Sequence, residues 1–163
     1  MQRRIFLGES AAIVAGLLSL RDSVAQAKLP VVGYLIPTAP LIAPVATAFR
    51  QGLSDAGYVE GQNVSIEYRW ADGDYDRLPA LAADLVGRNV DIIAAVGGIS
   101  ALAAKNATST IPIIFSTVGD PVGSGLVASL ARPGGNVTGF SNMTAEMTAK
   151  RLELLSELVP QAG

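Results

Sequence analysis

The residue types that usually carry enzymatic chemistry are largely missing from this chain. Its 163 residues include no cysteine and no histidine. The composition therefore excludes disulfides, thiolate nucleophiles, zinc-thiolate sites and an imidazole base near neutral pH. Catalysis would have to rest on carboxylates, lysine or tyrosine, and neither a nucleophile elbow nor a phosphate-binding loop accompanies them. We therefore expect a binding protein without a metal or cofactor, and not an enzyme.

Polar residues follow several apolar, β-branched runs of the chain, at the points where buried strands would end. In an open parallel sheet, ligands bind beyond the carboxyl ends of the strands, because loop backbone and helix N-termini converge there. The residues that we expect to line such a ligand site are Thr38, Gly98, Ser100, Thr117, Asp120, Ser141 and Asn142.

The residue types at these positions suggest two kinds of contact. Gly98 would let a ligand approach the backbone at a helix start, where Ser100 adds a hydroxyl beside unpaired N–H groups, which suits a carboxylate. Thr117 and Asp120 suit a polar or cationic group, with Asp120 as the natural partner of an ammonium. Two structural alternatives stay open, since Ser100 could be only a helix N-cap and Asp120 could cap a short helix.

Two further motifs are weaker. Residues 123–128 match the loose dinucleotide fingerprint G-x-G-x-x-A, but they follow the fourth predicted strand instead of the first, and no acidic residue ends the next strand. Residues 72–76 resemble the start of a calcium loop, although Arg77 replaces the required glycine and Ala83 replaces the final glutamate. We therefore expect no nucleotide binding at 123–128 and a solvated turn at 72–76.

The elements that must position the candidate residues alternate along the chain. Apolar or alternating runs predict strands at 31–36, 64–70, 91–96, 113–117 and 137–140, and helical periodicity predicts helices at 45–56, 76–87, 100–107, 122–130 and 145–158. Asp76 is the expected cap of the second helix. Strands buried on both faces and separated by helices indicate a doubly wound α/β parallel sheet, with the flavodoxin-like order 2-1-3-4-5.

Residues 1–27 have the three parts of a signal peptide: a charged start, an apolar stretch at 11–20 and a small-residue end at 25–27. Arg3-Arg4-Ile5-Phe6-Leu7 resembles a twin-arginine motif, with the general secretory route as the alternative. We expect export to the periplasm by a cleavable signal. Residues 28–163 then form one domain, whose nine basic and twelve acidic residues show no basic stripe. Nucleic acid is therefore not an expected partner.

Longer strings carry a family resemblance: AFRQGL (48–53), GYVEGQNV (57–64), IEYRWA (66–71), YDRLPALA (75–82), GDPV (119–122), RPGGNVTG (132–139) and KRLELL (150–155). In these strings the chain resembles the substrate-binding proteins of ABC transporters, in the group related to tryptophan/tyrosine importers. The resemblance implies a type I periplasmic binding fold, a two-lobed clamshell that closes over an amino acid or similar small ligand and presents it to a membrane permease.

Members of that family are about twice as long as this chain. The resemblance therefore implies the N-terminal lobe with the helix toward the hinge, and the second lobe is absent from the sequence. We expect a solute-binding component of an ABC import system, here in truncated form. Two alternatives are a ligand-sensing module for an extracytoplasmic receptor and, more remotely, an exported α/β enzyme.

Overall fold

The computed structural model describes residues 28–38, 43–142 and 144–159. The predicted signal peptide at 1–27 lies outside the described residues. Strands and helices alternate along the described chain as β1 (Val31–Ile36), α1 (Ala43–Asp55), β2 (Ser65–Trp70), α2 (Leu78–Gly87), β3 (Ile92–Val96), α3 (Gly97–Ala107), β4 (Ile113–Val118), β5 (Val137–Ser141) and α4 (Thr144–Leu158). Within the described ranges, no helix is both long enough and apolar enough to cross a membrane.

The five strands form one parallel sheet with the order β2-β1-β3-β4-β5, which confirms the predicted topology. Tyr34 at the centre of the sheet pairs with Tyr68 on one side and with Ala94 on the other. Because all strands run the same way, their carboxyl ends lie along one edge. The residues that follow β1, β3, β4 and β5 are thereby brought to the same side of the domain.

Helices cover the sheet on both faces. On one face, α2 and α3 pack against β1, β3 and β4, where Leu35, Leu85, Ile93 and Ile113 are almost fully buried. Burial of each such side chain contributes roughly 1.5–3 kcal/mol to stability. On the other face, Phe49 of α1 stacks on Tyr34 with ring centroids 4.5 Å apart. The central strands are apolar on both faces because helices pack on both sides of the sheet.

The α1 face of the sheet is covered only in part. Beside α1 lies an open apolar groove of about 260 Å³, lined by Tyr34, Val45, Ala48, Phe49, Ala94, Ala95, Ile114, Phe115, Ser116 and Phe140. Phe140, at the end of β5, is 71 % exposed. The leucines of α4 are also largely exposed, with Leu152, Leu155 and Leu158 each more than half accessible. The described part of the chain therefore leaves two apolar surfaces open.

The start of α3 differs from the prediction. The helix begins at Gly97, directly after β3, and its N-cap is Val96. Gly97 has a φ of 79°, a conformation that only glycine adopts at low cost, and it converts strand into helix without a loop. Ser100 is therefore the fourth residue of α3, and the interpretation of Ser100 as an N-cap is wrong.

Two other local predictions are wrong. Residues 122–125 form turns and residues 126–130 are irregular instead of helical, because Gly125 has a φ of 70° and glycine at 123 and 125 disfavours helical backbone. Asp76 does not cap α2. A 3-10 turn at Tyr75–Arg77 precedes that helix, and Asp74 accepts a hydrogen bond from the Asp76 N–H at 3.2 Å. The predicted turn at 72–76 is confirmed.

The buried Tyr34 predicts a loss of stability at high pH. Burial, together with the nearby Tyr68, raises the pKa of Tyr34 to about 12, above the ordinary value of 10. The fold thus favours the protonated phenol, so this stabilisation is complete below pH 10 and is lost as the pH rises toward 12. Urea unfolding between pH 8 and 11.5 should show the free energy of unfolding fall less steeply in Tyr34→Phe than in the parent. Tyr58→Phe, at an exposed position, should keep the parental slope, and equal slopes in all three chains would contradict the prediction.

The Ser100 hydroxyl predicts a stabilising substitution. Ser100 is fully buried, and in the described chain its Oγ has no hydrogen-bond partner. A buried hydroxyl without a partner costs about 1–3 kcal/mol, and alanine is also the better helix former. Ser100→Ala should raise the free energy of unfolding by about 1 kcal/mol in a urea titration. Ser54→Ala, at an exposed position of α1, reports helix propensity alone and should change stability by only a few tenths of that value. A destabilised Ser100→Ala would show that the hydroxyl has a partner in solution.

Candidate functional site

The sheet order places a topological switch point between the ends of β1 and β3. The chain leaves β1 toward β2 on one side of the sheet and leaves β3 toward β4 on the other. Loops that diverge in this way open a gap at the strand ends, which is where ligands bind in open α/β sheets. Thr38 follows β1 on one side of this gap, and Gly97 and Gly98 follow β3 on the other.

The start of α3 supplies hydrogen-bond donors. Among the residues that the structure describes, no side chain caps the helix, so its first-turn N–H groups have no acceptor side chain there. These groups carry the positive end of the helix dipole and suit an anionic ligand group. A methyl group on Gly98 would meet Val118 Cγ1 at 3.9 Å, an ordinary contact distance. Packing therefore does not require a glycine at this position.

Ser100 also belongs to the first turn of α3, but its side chain is buried. Its side chain has no accessible area. The accessible donors at this end of α3 are therefore backbone N–H groups and not this hydroxyl. Contact between Ser100 and a ligand stays a prediction.

The end of β4 supplies hydrogen-bond acceptors. Thr117 is exposed, and its Oγ1 donates to the Ser116 carbonyl at 2.7 Å. Because a hydroxyl has one proton and two lone pairs, Thr117 faces an incoming group as an acceptor. Asp120 is also exposed, and its Oδ1 accepts from the Gly123 N–H at 2.7 Å. This bond closes a turn and not a helix, and it leaves most of the acceptor capacity of the carboxylate available.

The end of β5 holds these acceptors in place. The Asn142 N–H donates to the Val118 carbonyl at 2.9 Å, and Ser141 Oγ donates to the Gly119 carbonyl at 3.3 Å. Ser141 and Asn142 thus fix the segment between Thr117 and Asp120 through the backbone. The Asn142 side chain is exposed at the same edge.

Five of the seven predicted site residues lie at the ends of the strands or in the loops that follow them, and the other two, Gly98 and Ser100, lie in the first turn of α3, where Ser100 is buried. Gly98, Thr117, Asp120, Ser141 and Asn142 follow the three neighbouring strands β3, β4 and β5. Thr38 follows β1, which neighbours β3 on the side away from β4. Its neighbour Pro37 accepts a hydrogen bond from the Gly73 N–H at 2.9 Å, which ties β1 to the loop after β2.

Sequence reasoning did not identify two residues of this edge. Gly123 provides the N–H that orients Asp120, and the Asp-Pro-Val-Gly spacing is a turn signature that could have indicated it. Ile99, in the first turn of α3, is 53 % exposed although its side chain is large and apolar. The position of Ile99 after the third predicted strand is visible in the sequence, but its exposure is not, because that depends on the start of α3 at Gly97.

Comparison with known proteins places the chain among binding proteins. The family described as ABC transporter substrate binding protein matches residues 39–163. A tyrosine-binding protein of Clostridioides difficile (strain R20291) is 41 % identical over 123 residues, which make up 76 % of this chain and 35 % of that protein.

Solved structures show the same relationship. A conserved domain protein from Vibrio cholerae superposes with a TM-score of 0.75 at 34 % identity, over 82 % of this chain and 45 % of its own. An ABC domain from Streptococcus pneumoniae in complex with L-Trp superposes with a TM-score of 0.66 at 29 % identity, over 69 % of this chain and 38 % of its own.

The chain thus spans less than half of the length of these relatives, and this partial coverage fits the N-terminal lobe of the family. The similarity in sequence extends from before α1 to beyond α4, and the similarity in structure includes a parallel α/β sheet. The chain therefore belongs to the family of ABC transporter substrate-binding proteins, in the group related to tyrosine and tryptophan binding.

Proposed function

We propose that this chain forms one wall of a binding site for an amino acid, as the solute-binding component of an ABC import system. The observation that carries the proposal is the pairing of donors and acceptors at one edge. The first turn of α3 offers N–H groups, and the end of β4 offers Thr117 Oγ1 and the Asp120 carboxylate. This pattern is complementary to a zwitterion.

On this proposal, one small ligand contacts both groups. β3 and β4 are neighbours in the sheet, with Val96 paired to Ser116. Neighbouring strands lie about 4.8 Å apart, so a carboxylate and an ammonium on the same carbon atom can reach both ends. The ligand carboxylate would lie at the start of α3, and its ammonium would lie between Thr117 and Asp120.

The relatives support an aromatic amino acid as the ligand. One is a tyrosine-binding protein, and another was solved in complex with L-Trp. In this chain, the exposed Ile99 offers an apolar surface beside the first turn of α3 for the ligand side chain. The proposal is binding without turnover, since the edge presents groups that hold a zwitterion and the relatives are binding proteins.

Location and partners follow from the family and from the predicted signal peptide. Export to the periplasm would place the site where solutes arrive from outside, and a membrane permease would receive the ligand. Because the matched relatives are more than twice as long as the matched region, a second lobe would provide the opposite wall of the site.

Asp120→Asn tests the proposed ammonium site. The amide keeps the size of the side chain and an oxygen acceptor for the Gly123 N–H, but it removes the charge. Because a hydrogen bond to a charged group contributes about 1.5–3 kcal/mol, affinity for L-tryptophan should fall tenfold or more. Affinity for indole-3-propionate, which lacks the amino group, should change less than twofold. Titrations followed by NMR chemical shifts measure both ligands even at millimolar affinity.

Asp55→Asn is the matched control, because Asp55 ends α1 and its Oδ1 accepts only a surface hydrogen bond from Gln51. It should bind both ligands like the parent. The proposal would be wrong if the parent chain bound neither L-tryptophan nor L-tyrosine. An unchanged affinity of Asp120→Asn for L-tryptophan would remove Asp120 from the site.

A further inference from the structure

We propose that Thr117 determines the preference of the site for ligands with an amino group, and that its strained backbone is retained for this purpose. The inference rests on the proposed function, and it adds the reason why a threonine stands at this position.

Thr117 has a backbone conformation that its side chain disfavours. Its φ is 59°, in the left-handed region, where a β-branched residue is a genuine outlier. In the described chain, the other two non-glycine residues with positive φ are Asp72 and Asn89. Aspartate and asparagine tolerate this region because their short polar side chains bond locally. Thr117 also bonds locally, to the Ser116 carbonyl, but its branched Cβ makes positive φ more costly than it is for aspartate or asparagine.

The surrounding structure holds Thr117 in this conformation. The pairing of β4 with β5 shifts register between Phe115 and Val118, so the chain contains an irregularity at Ser116 and Thr117. Phe115 and Val118 on either side are buried, with 3 % and 4 % exposure. The Val118 carbonyl is also bonded to the Asn142 N–H. The flanking residues therefore cannot relax to relieve the strain.

The register shift accounts for the irregular backbone at this position, but it does not require a threonine there. Glycine or asparagine would adopt the same φ at lower cost, and the exposed Thr117 side chain adds nothing to the core. What threonine supplies is a hydroxyl at the ligand edge. Such strain at an exposed position is typical of sites where the backbone aims a functional group.

The direction of the hydroxyl bond selects the ligand group. Thr117 Oγ1 donates its single proton to the Ser116 carbonyl at 2.7 Å. Its lone pairs can therefore accept from an ammonium, whereas donation to a carboxylate would require breaking that bond. Thr117 thus distinguishes the two ends of an amino acid and favours ligands that carry a donor at this position.

Thr117→Val and Thr117→Gly test the two parts of the proposal. Valine has the shape and branching of threonine without the hydroxyl, so its fold should be retained. In NMR titrations, Thr117→Val should bind L-tyrosine about tenfold more weakly than the parent, while its affinity for 3-(4-hydroxyphenyl)propionate should change less than twofold. Thr117→Gly relieves the strain, and its Tm should rise by roughly 2 to 4 °C, while its affinity for L-tyrosine falls as in Thr117→Val.

Thr138→Val is the matched control, since Thr138 is an exposed threonine in the first half of β5. It should bind both ligands like the parent. If Thr117→Val lost affinity for both ligands equally, or for neither, the hydroxyl would not select the amino group and the inference would be wrong. A lower Tm for Thr117→Gly would overturn the claim of strain. If the parent chain itself bound no L-tyrosine, the proposed function would fail together with this inference.

Discussion

The strands β1 and β3 are buried on both faces along almost their whole length, and this burial fixes where their carboxyl ends lie. A parallel strand in this position cannot slide by one residue, because a shift would move Leu35 and Ile93 from one packed layer to the other. The start of α3 follows β3 without an intervening loop, so the position of β3 determines where the first N–H groups of α3 lie. The start of α3 is therefore anchored by the buried strand that precedes it.

Several groups at this edge of the sheet lower the stability of the domain. The uncapped first turn of α3, the strained Thr117 and the buried hydroxyl of Ser100 each cost free energy, and all three lie at or beside the ends of β3 and β4. Natural domains tolerate such costs because the core compensates for them. Their concentration at one edge supports the assignment of function to that edge.

The topology could be predicted from the sequence because it depends on hydrophobic pattern, which tolerates small errors in element boundaries. Runs such as 31–36 and 91–96 are apolar on both faces, and only a covered parallel sheet accommodates several of them. The predicted start of α3 is wrong because a Gly-Gly pair is typical of a turn, whereas the φ of Gly97 belongs to the transition from strand to helix itself. The predicted helix at 122–130 is wrong because apolar spacing there is outweighed by the glycines.

The sequence predicts where the candidate residues lie better than it predicts which hydrogen bonds they offer. Strand ends follow from the hydrophobic pattern, so the sequence alone identifies Gly98, Thr117, Asp120 and Asn142 as residues of one edge. The direction of a hydrogen bond cannot be read from residue types. Thr117 can donate or accept, and only its bond to the Ser116 carbonyl shows which role it offers to a ligand. The burial of Ser100 could not be predicted from the sequence either, because it depends on a helix start three residues earlier than expected.

A single edge of this kind can orient a ligand better than it can enclose one. Small-molecule sites commonly bury most of the ligand surface, and a row of strand ends contacts a ligand from one side only. On the proposed function, the contacts with α3 and with β4 determine which end of the amino acid faces which strand, and this orientation does not depend on enclosure. This orientation does not require the apolar groove beside α1 or the exposed leucines of α4, although the groove reaches Ser116 and Phe140 near the ends of β4 and β5. Affinity and orientation are therefore separable in this domain, and substitutions at the edge should change ligand preference even where total affinity is low.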